Sequence, residues 1–168
     1  FDKFASGDRV LGTQMKATGE VMAIDRSFEA ALQKAIRSLE FGKKSLLWED
    51  SKWGLGANIS SYPLEPTDLR LWAIMAALRR GIGVEEIHAR TKIDPWFLTK
   101  LENIVGLEER LLSEPLTPEL LREAKRFGFS DEQVGTLADR LTEQVRTLRH
   151  SWNIRPVYKM VDTCAAEF

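Results

Sequence analysis

Asp94-Pro95-Trp96-Phe97-Leu98-Thr99-Lys100-Leu101 decides how this chain is read. Aspartate followed by proline is a helix start: Asp94 can accept a backbone N–H from the first turn, and proline at the first helical position gives up a donor that has no partner there anyway. The helix it opens is expected to place Phe97, Leu101, Ile104, Val105 and Leu112 on one side. The same grammar recurs in both directions. Thr117-Pro118 opens Leu120 to Phe127, with Gly128 as the stop. Ser130 with Gln133 three residues later is a capping box, followed by Val134, Leu137 and Leu141. Thr142 opens a last helix with Val145 and Leu148 facing inward. Upstream, Thr67 is positioned to cap a helix lined by Leu71, Ile74, Met75 and Leu78 and ended by Gly81 and Gly83, and Val84 to Thr91 reads as a short helix. Residues 67–150 are therefore expected to be all-α, built of short packed helices.

Within that zone, residues 87–101 and 134–148 share a rhythm of short helix, tight turn and second helix. Paired hairpins of this kind occur in helix-turn-helix DNA readers. Charge argues against that use. The 168 residues carry 24 basic and 25 acidic side chains, a formal net charge of −1, which supplies no field for nucleic acid or an anionic membrane. The base-reading end would hold Asp94, Pro95, Trp96 and Phe97, none a good match for a base edge. A small helical nucleic-acid-binding or adaptor protein is the alternative reading, and two packed structural hairpins the favoured one. Leu71 to Leu78 is apolar on nearly every side, so it must be covered all round. Leu71, Trp72, Ile74, Met75 and Leu78 are accordingly candidates either for extra core or for a subunit interface.

Outside the helical zone the texture changes. In residues 1–42, Val10–Lys16 and Glu20–Ile24 read as two extended runs joined by Ala17-Thr18-Gly19, a β-hairpin. Ser27 then caps a helix whose stripe is Phe28, Ala31, Leu32, Ala35, Ile36 and Leu39, with Gly42 at the expected C-terminal cap. Residues 43–66, with Gly54, Gly56, Pro63 and Pro66, read as a connector pinned by Trp48 and Trp53. Residues 151–168 turn extended again through Arg155-Pro156-Val157-Tyr158. Both ends read as interrupted elements, so the chain is expected to be a piece of a longer intracellular, cytoplasmic polypeptide.

Hydrophobic residues make up 43% and charged residues 29%, a balance that supports a core. The longest strongly apolar run, Leu71 to Leu78, is too short to cross a bilayer. Cys164 is the single cysteine, which excludes an internal disulfide; with His88 and His150 it makes no nucleophilic set, and no His/Cys/Asp cluster has metal-ligand spacing. Lys16-Ala17-Thr18-Gly19 has one glycine between two extended runs and reads as a turn, not a phosphate cradle, which needs several glycines opening a helix.

Three stretches, in order, resemble one family. Thr13-Gln-Met-Lys-Ala-Thr-Gly-Glu-Val-Met-Ala-Ile24 with Arg26-Ser-Phe-Glu-Ala-Ala-Leu-Gln-Lys-Ala35 is similar to the end of the first ATP-grasp unit of the carbamoyl-phosphate synthase large subunit. Thr91-Lys-Ile-Asp-Pro-Trp-Phe-Leu98 and Ala124-Lys-Arg-Phe-Gly-Phe-Ser-Asp131 resemble its helical oligomerisation domain, and Arg155-Pro-Val-Tyr-Lys-Met-Val-Asp-Thr-Cys-Ala-Ala-Glu-Phe168 the start of its second synthetase half. The resemblance implies a parent enzyme making carbamoyl phosphate from bicarbonate, ammonia and two ATP, with Mg or Mn, for arginine and pyrimidine synthesis. The ammonia is released from glutamine on a glutaminase small subunit. Its implied partners are the flanking ATP-grasp halves of the same polypeptide and further copies of itself. The family's catalytic groups fall outside this stretch, so no catalytic, cofactor or metal residue is carried over, Cys164 included. Asp25 stands where the family usually has glycine, which puts the geometry of that one turn in question.

Overall fold

The computed structural model describes residues 6–16, 20–39, 45–56 and 58–160. Among them are seven α-helices, one 3₁₀ turn at Ile59–Ser61 and no strand. The helices are α1 (Phe28–Ser38), α2 (Arg70–Arg79), α3 (Val84–Thr91), α4 (Pro95–Ser113), α5 (Pro118–Arg126), α6 (Asp131–Leu137) and α7 (Thr142–Ser151). No helix among the described residues is long and apolar enough to cross a membrane.

The start signals operate as chemistry. Asp94 accepts the Trp96 N–H at 2.8 Å, Thr117 the Leu120 N–H at 3.2 Å and Ser27 the Ala30 N–H at 3.2 Å. Ser130 and Gln133 form both bonds of their capping box, at 3.0 and 2.9 Å. Gly81 and Gly128 end α2 and α5 with φ of +79° and +86°, the left-handed step that lets the chain turn back over the last carbonyls.

Thr67 does not cap α2. Its carbonyl closes a separate turn with the Arg70 N–H at 3.2 Å, and the helix starts only at Arg70, with Leu69 supplying no side-chain cap. Entry into the core at Trp72 fixes this start, because tertiary burial outweighs a cap of about 1 kcal/mol. On α4 the buried stripe is Leu98, Leu101, Ile104, Val105, Leu107, Glu108 and Leu111, while Phe97 and Leu112 face out. A helix of 19 residues packed on several neighbours is covered over an arc wider than one stripe, and its phase is set by those neighbours. Leu141 lies beyond α6, whose end at Leu137 is followed by left-handed Asp139, and it is exposed.

The hairpin expected over Val10–Lys16 and Glu20–Ile24 is not seen: the described residues of both runs form no strand, and the joint at 17–19 lies outside them. Val10, Leu11, Met15, Val21, Met22 and Ile24 are exposed, so the runs have no apolar layer to lie on. An isolated two-stranded ribbon is marginal in water without such a layer. The first segment instead fastens to the end of the connector, Leu11 N–H to Pro66 O at 2.6 Å and Arg9 to the Asp68 carboxylate. Gly42, the expected cap of α1, also lies outside the described residues; α1 ends at Ser38 with Leu39 extended.

α4 is the hub, packing on α1, α2, α3 and α6. α1 joins through polar ties as well as its apolar face. Buried Gln33 donates to the Phe127 carbonyl at 3.1 Å and accepts from Gln133 at 2.8 Å, and Arg37 donates to the Gly128 carbonyl. Buried Glu29 accepts from Asn103 at 3.0 Å, with Lys100 at 3.6 Å. Burial alone would raise the Glu29 carboxyl, but these partners hold it below the usual range.

Candidate functional site

Trp72 to Leu78 is one unbroken buried run inside α2. The structure thus places Trp72, Ile74, Met75 and Leu78 in the chain's own core, and of the five α2 candidates only Leu71 keeps appreciable surface. The core closes round them from two sides: α4 supplies one wall, and connector residues Leu46, Trp53, Tyr62 and Leu64 belong to the same cluster. Trp48 and Trp53 stack edge to face with centroids 5.4 Å apart, and the Trp72 indole N–H donates to the Ser45 carbonyl at 2.8 Å.

A charged clamp sits at the C-terminal end of α2. The Arg79 guanidinium forks onto Glu108 of α4 at 2.6 and 2.9 Å, reaches Glu49 of the connector at 2.9 Å and donates to the Leu46 carbonyl at 2.8 Å. Arg80 takes the other Glu49 oxygen at 2.6 Å. The Glu108 side chain is only 3% exposed. Burial pushes its carboxyl up, opposed by the Arg79 fork, while Arg79 is raised by the two carboxylates against its own desolvation. No local pattern in the sequence pairs Arg79 or Arg80 with a carboxylate; the fold brings buried Glu108 to Arg79 and Glu49 to both arginines.

Exposed apolar surface lies elsewhere. Trp96 and Phe97 are 53% and 44% exposed, and with Phe28 they form a three-ring cluster whose centroids lie 5.0 to 5.6 Å apart. Lys100 sits 5.4 Å from the Trp96 ring.

A second exposed region lies where the chain joins and leaves the bundle. Ile24, Asp25, Arg26 and Lys34 on the incoming side share a cleft of about 450 Å³ with Val157 and Lys159 on the outgoing side. Asp25 is not among the residues with left-handed φ, so glycine is not needed at this turn. Met22, Val157, Tyr158 and Met160 beside this seam are 78% to 100% exposed. No group of three or more His, Cys, Asp or Glu among the described residues is arranged to hold a metal, and Cys164 lies outside them.

Comparison with known proteins accords with that geometry. The chain is 55% identical over its whole length to the carbamoyl phosphate synthase large chain of Thermomicrobium roseum. It is 54% identical to that of Caldanaerobacter subterraneus subsp. tengcongensis and 52% to that of a Thermoanaerobacter species. In each case it spans 16% of the relative's length. Residues 20–153 match the family described as carbamoyl-phosphate synthetase large chain, oligomerisation domain. A bundle that buries α2 against α4, leaves an aromatic edge bare and brings incoming and outgoing segments to one seam belongs, by this match over most of its length, to the oligomerisation-domain family of the carbamoyl-phosphate synthetase large chain.

Proposed function

We propose that this domain acts as the spacer and assembly module of a cytoplasmic carbamoyl-phosphate synthase large chain, fixing two ATP-grasp halves against one another and offering a face to further copies. The longer enzyme would make carbamoyl phosphate from bicarbonate, ammonia from a glutaminase subunit and two ATP, for arginine and pyrimidine synthesis. ATP and Mg or Mn would be held by the halves on either side. The observation that carries the reading is the shared seam: incoming Ile24, Asp25 and Arg26 and outgoing Val157 and Lys159 line one cleft, which supports attachment of both halves on the same side of the bundle.

On this reading Val10–Lys16 and Glu20–Ile24 pair as strands only when a neighbouring half supplies the missing apolar layer, as do the residues after Arg155. The test is a pair of substitutions, Met22→Asp and Met160→Asp, made in the 168-residue chain and in the full-length enzyme. In the short chain both side chains are exposed, so unfolding should shift by no more than about 0.5 kcal/mol. In the full-length enzyme each should cost thermal stability and carbamoyl phosphate formation. Equal silence in both settings would remove the seam from the proposal.

Self-association is assigned to the Phe28, Trp96 and Phe97 edge, with Leu71 as the one of the five apolar α2 candidates able to touch a second copy directly. Trp72, Ile74, Met75 and Leu78 then support the interface from behind. Sedimentation should show concentration-dependent association of the chain, weakened by Trp96→Glu with the helix content unchanged. A species that stays monomeric at high concentration, or a variant that associates as well as its parent, would count against this face.

A further inference from the structure

Beyond the seam lies a second cleft, of about 560 Å³, between α5, α7 and the outgoing segment. Five cationic side chains line it: Arg122, Lys125 and Arg126 from α5, Arg149 from α7 and Arg155 from the segment that follows. Asn153 adds a polar group, and Ile154, Pro156 and Val157 an apolar wall; no acidic residue lines it.

The charge balance is lopsided. Asp131, at the start of α6, takes Lys125 at 2.9 Å and Arg149 at 3.1 Å, so one carboxylate serves two cations. Arg122, Arg126 and Arg155 meet no carboxylate among the described residues. Crowding like charges without counter-charge raises the energy of the fold, and neighbouring arginines at i and i+4 repel by a few tenths of a kcal/mol on a helix. The chain as a whole is near neutral, so this concentration is local. Guanidinium forks match the oxygen geometry of phosphate and carboxylate groups.

We infer that this cleft is a binding site for a small phosphate-bearing anion, held by Arg122, Arg126 and Arg155 over the Asp131-anchored pair Lys125 and Arg149. Its size falls within the range of small-molecule sites, roughly 300 to 1,000 Å³. Its cations converge from three segments on one hollow, whereas a nucleic acid or an acidic peptide is tracked by charges spread along a groove. Because the outgoing segment carries Arg155 and forms one wall, a bound anion would fix the direction in which the chain leaves the bundle.

The test is titration of the 168-residue chain with inorganic pyrophosphate, followed by backbone amide shifts at constant ionic strength, with sodium chloride as the control. Saturable shifts confined to α5, α7 and residues 153–157 are expected. Arg122→Gln and Arg155→Gln, both at exposed positions without ion-pair partners, should each weaken binding about tenfold and leave the spectrum of the rest of the bundle in place. Lys52→Gln, on the connector, should not. Titrations with inorganic phosphate and AMP separate the sources: tighter binding of AMP assigns an organic phosphate whose body uses the Ile154–Val157 wall, and tighter binding of phosphate assigns the free ion. Shifts that chloride reproduces, losses equal at Lys52, or a cleft that ignores all three phosphates and takes a glutamate-rich peptide would overturn the inference.

Discussion

The two helical hairpins share a sequence rhythm and do different work. The first, α3 with α4, turns through Lys92 in the left-handed region, φ 60°; the second, α6 with α7, turns through Asp139, φ 50°. Each step returns the chain for a second helix packed on the first. There the likeness stops. α4 runs 19 residues and is covered by four other helices, with seven of its residues buried. α7 runs 10 residues and buries Val145 alone, leaving most of its surface to carry charge at the edge of the basic cleft. A repeated local grammar fixes how two helices meet. How far the second helix runs, and what flanks it, decides whether the pair becomes a core or a rim.

The first hairpin is the one whose damage should spread. Glu108 lies on α4 with both oxygens on Arg79, and Arg79 in turn holds Glu49 and the Leu46 carbonyl. Glu108→Ala would leave the mostly buried guanidinium with one carboxylate fewer, and removing one partner of a buried pair costs about 3–5 kcal/mol. Chemical denaturation should show that loss, and hydrogen exchange should rise first in connector residues 45–53, which the clamp ties to α2. Should Glu108→Ala cost less than the second-hairpin substitution below, the first hairpin is not the core and the contrast fails.

Much of this fold can be read without coordinates, because it depends on local chemistry. Asp94-Pro95, Thr117-Pro118, Ser130 with Gln133, and Gly128 each satisfy or release backbone groups within a few residues, and each marks a helix end found in the structure. The misreadings are all cases where a distant partner decides. Thr67 has the chemistry of a cap, yet burial of Trp72 sets the start of α2. Phe97 and Leu112 fit an apolar period, yet the neighbours of α4 turn them outward. Strand patterning at residues 10–24 describes a ribbon that needs a sheet beneath it. Of the α2 set, periodicity gave burial on every side but not the identity of the cover, which proves to be the connector and α4. The Arg79 clamp joins residues 29 to 33 positions apart in the chain, the basic cleft joins α5 to residues 149–157, and no local pattern announces either.

The second hairpin should break at its turn. Gly135 sits inside α6, and a Cβ added there would lie 2.6 Å from the Arg140 carbonyl oxygen, a backbone atom with no flexible end to move aside. The same approach is held from the other side by the Arg140 N–H, which donates to the Gly135 carbonyl at 2.9 Å. Gly135→Ala must therefore spread the turn and loosen α7 from α6. The cost should be about 1–3 kcal/mol, the range for overpacking, despite the better helix propensity of alanine. Because α7 buries little else, the melting of α4 should be nearly untouched, and amide shifts should concentrate in residues 131–151.

The smallest effect has the opposite sign and belongs to the first turn. Lys92 closes α3 with φ 60°, ψ 15°, and its N–H donates to the His88 carbonyl at 2.8 Å. His88 Nδ1–H donates to the Ile93 carbonyl at 2.7 Å, and Arg70 to the Thr91 carbonyl at 2.8 Å, so the backbone is held in this shape by its surroundings. The lysine side chain is exposed and makes no hydrogen bond or ion pair among the described residues, leaving only the steric cost of its Cβ in the left-handed region, about 1–2 kcal/mol. Glycine removes that cost but gives the unfolded chain more freedom, which returns part of the gain. Lys92→Gly should thus stabilise the chain by about 0.5–1 kcal/mol in denaturant melts, with no change in association or in anion binding. A destabilised variant would mean that the lysine stem packs on the hairpin, and that the two turns, alike in φ, are held by different forces.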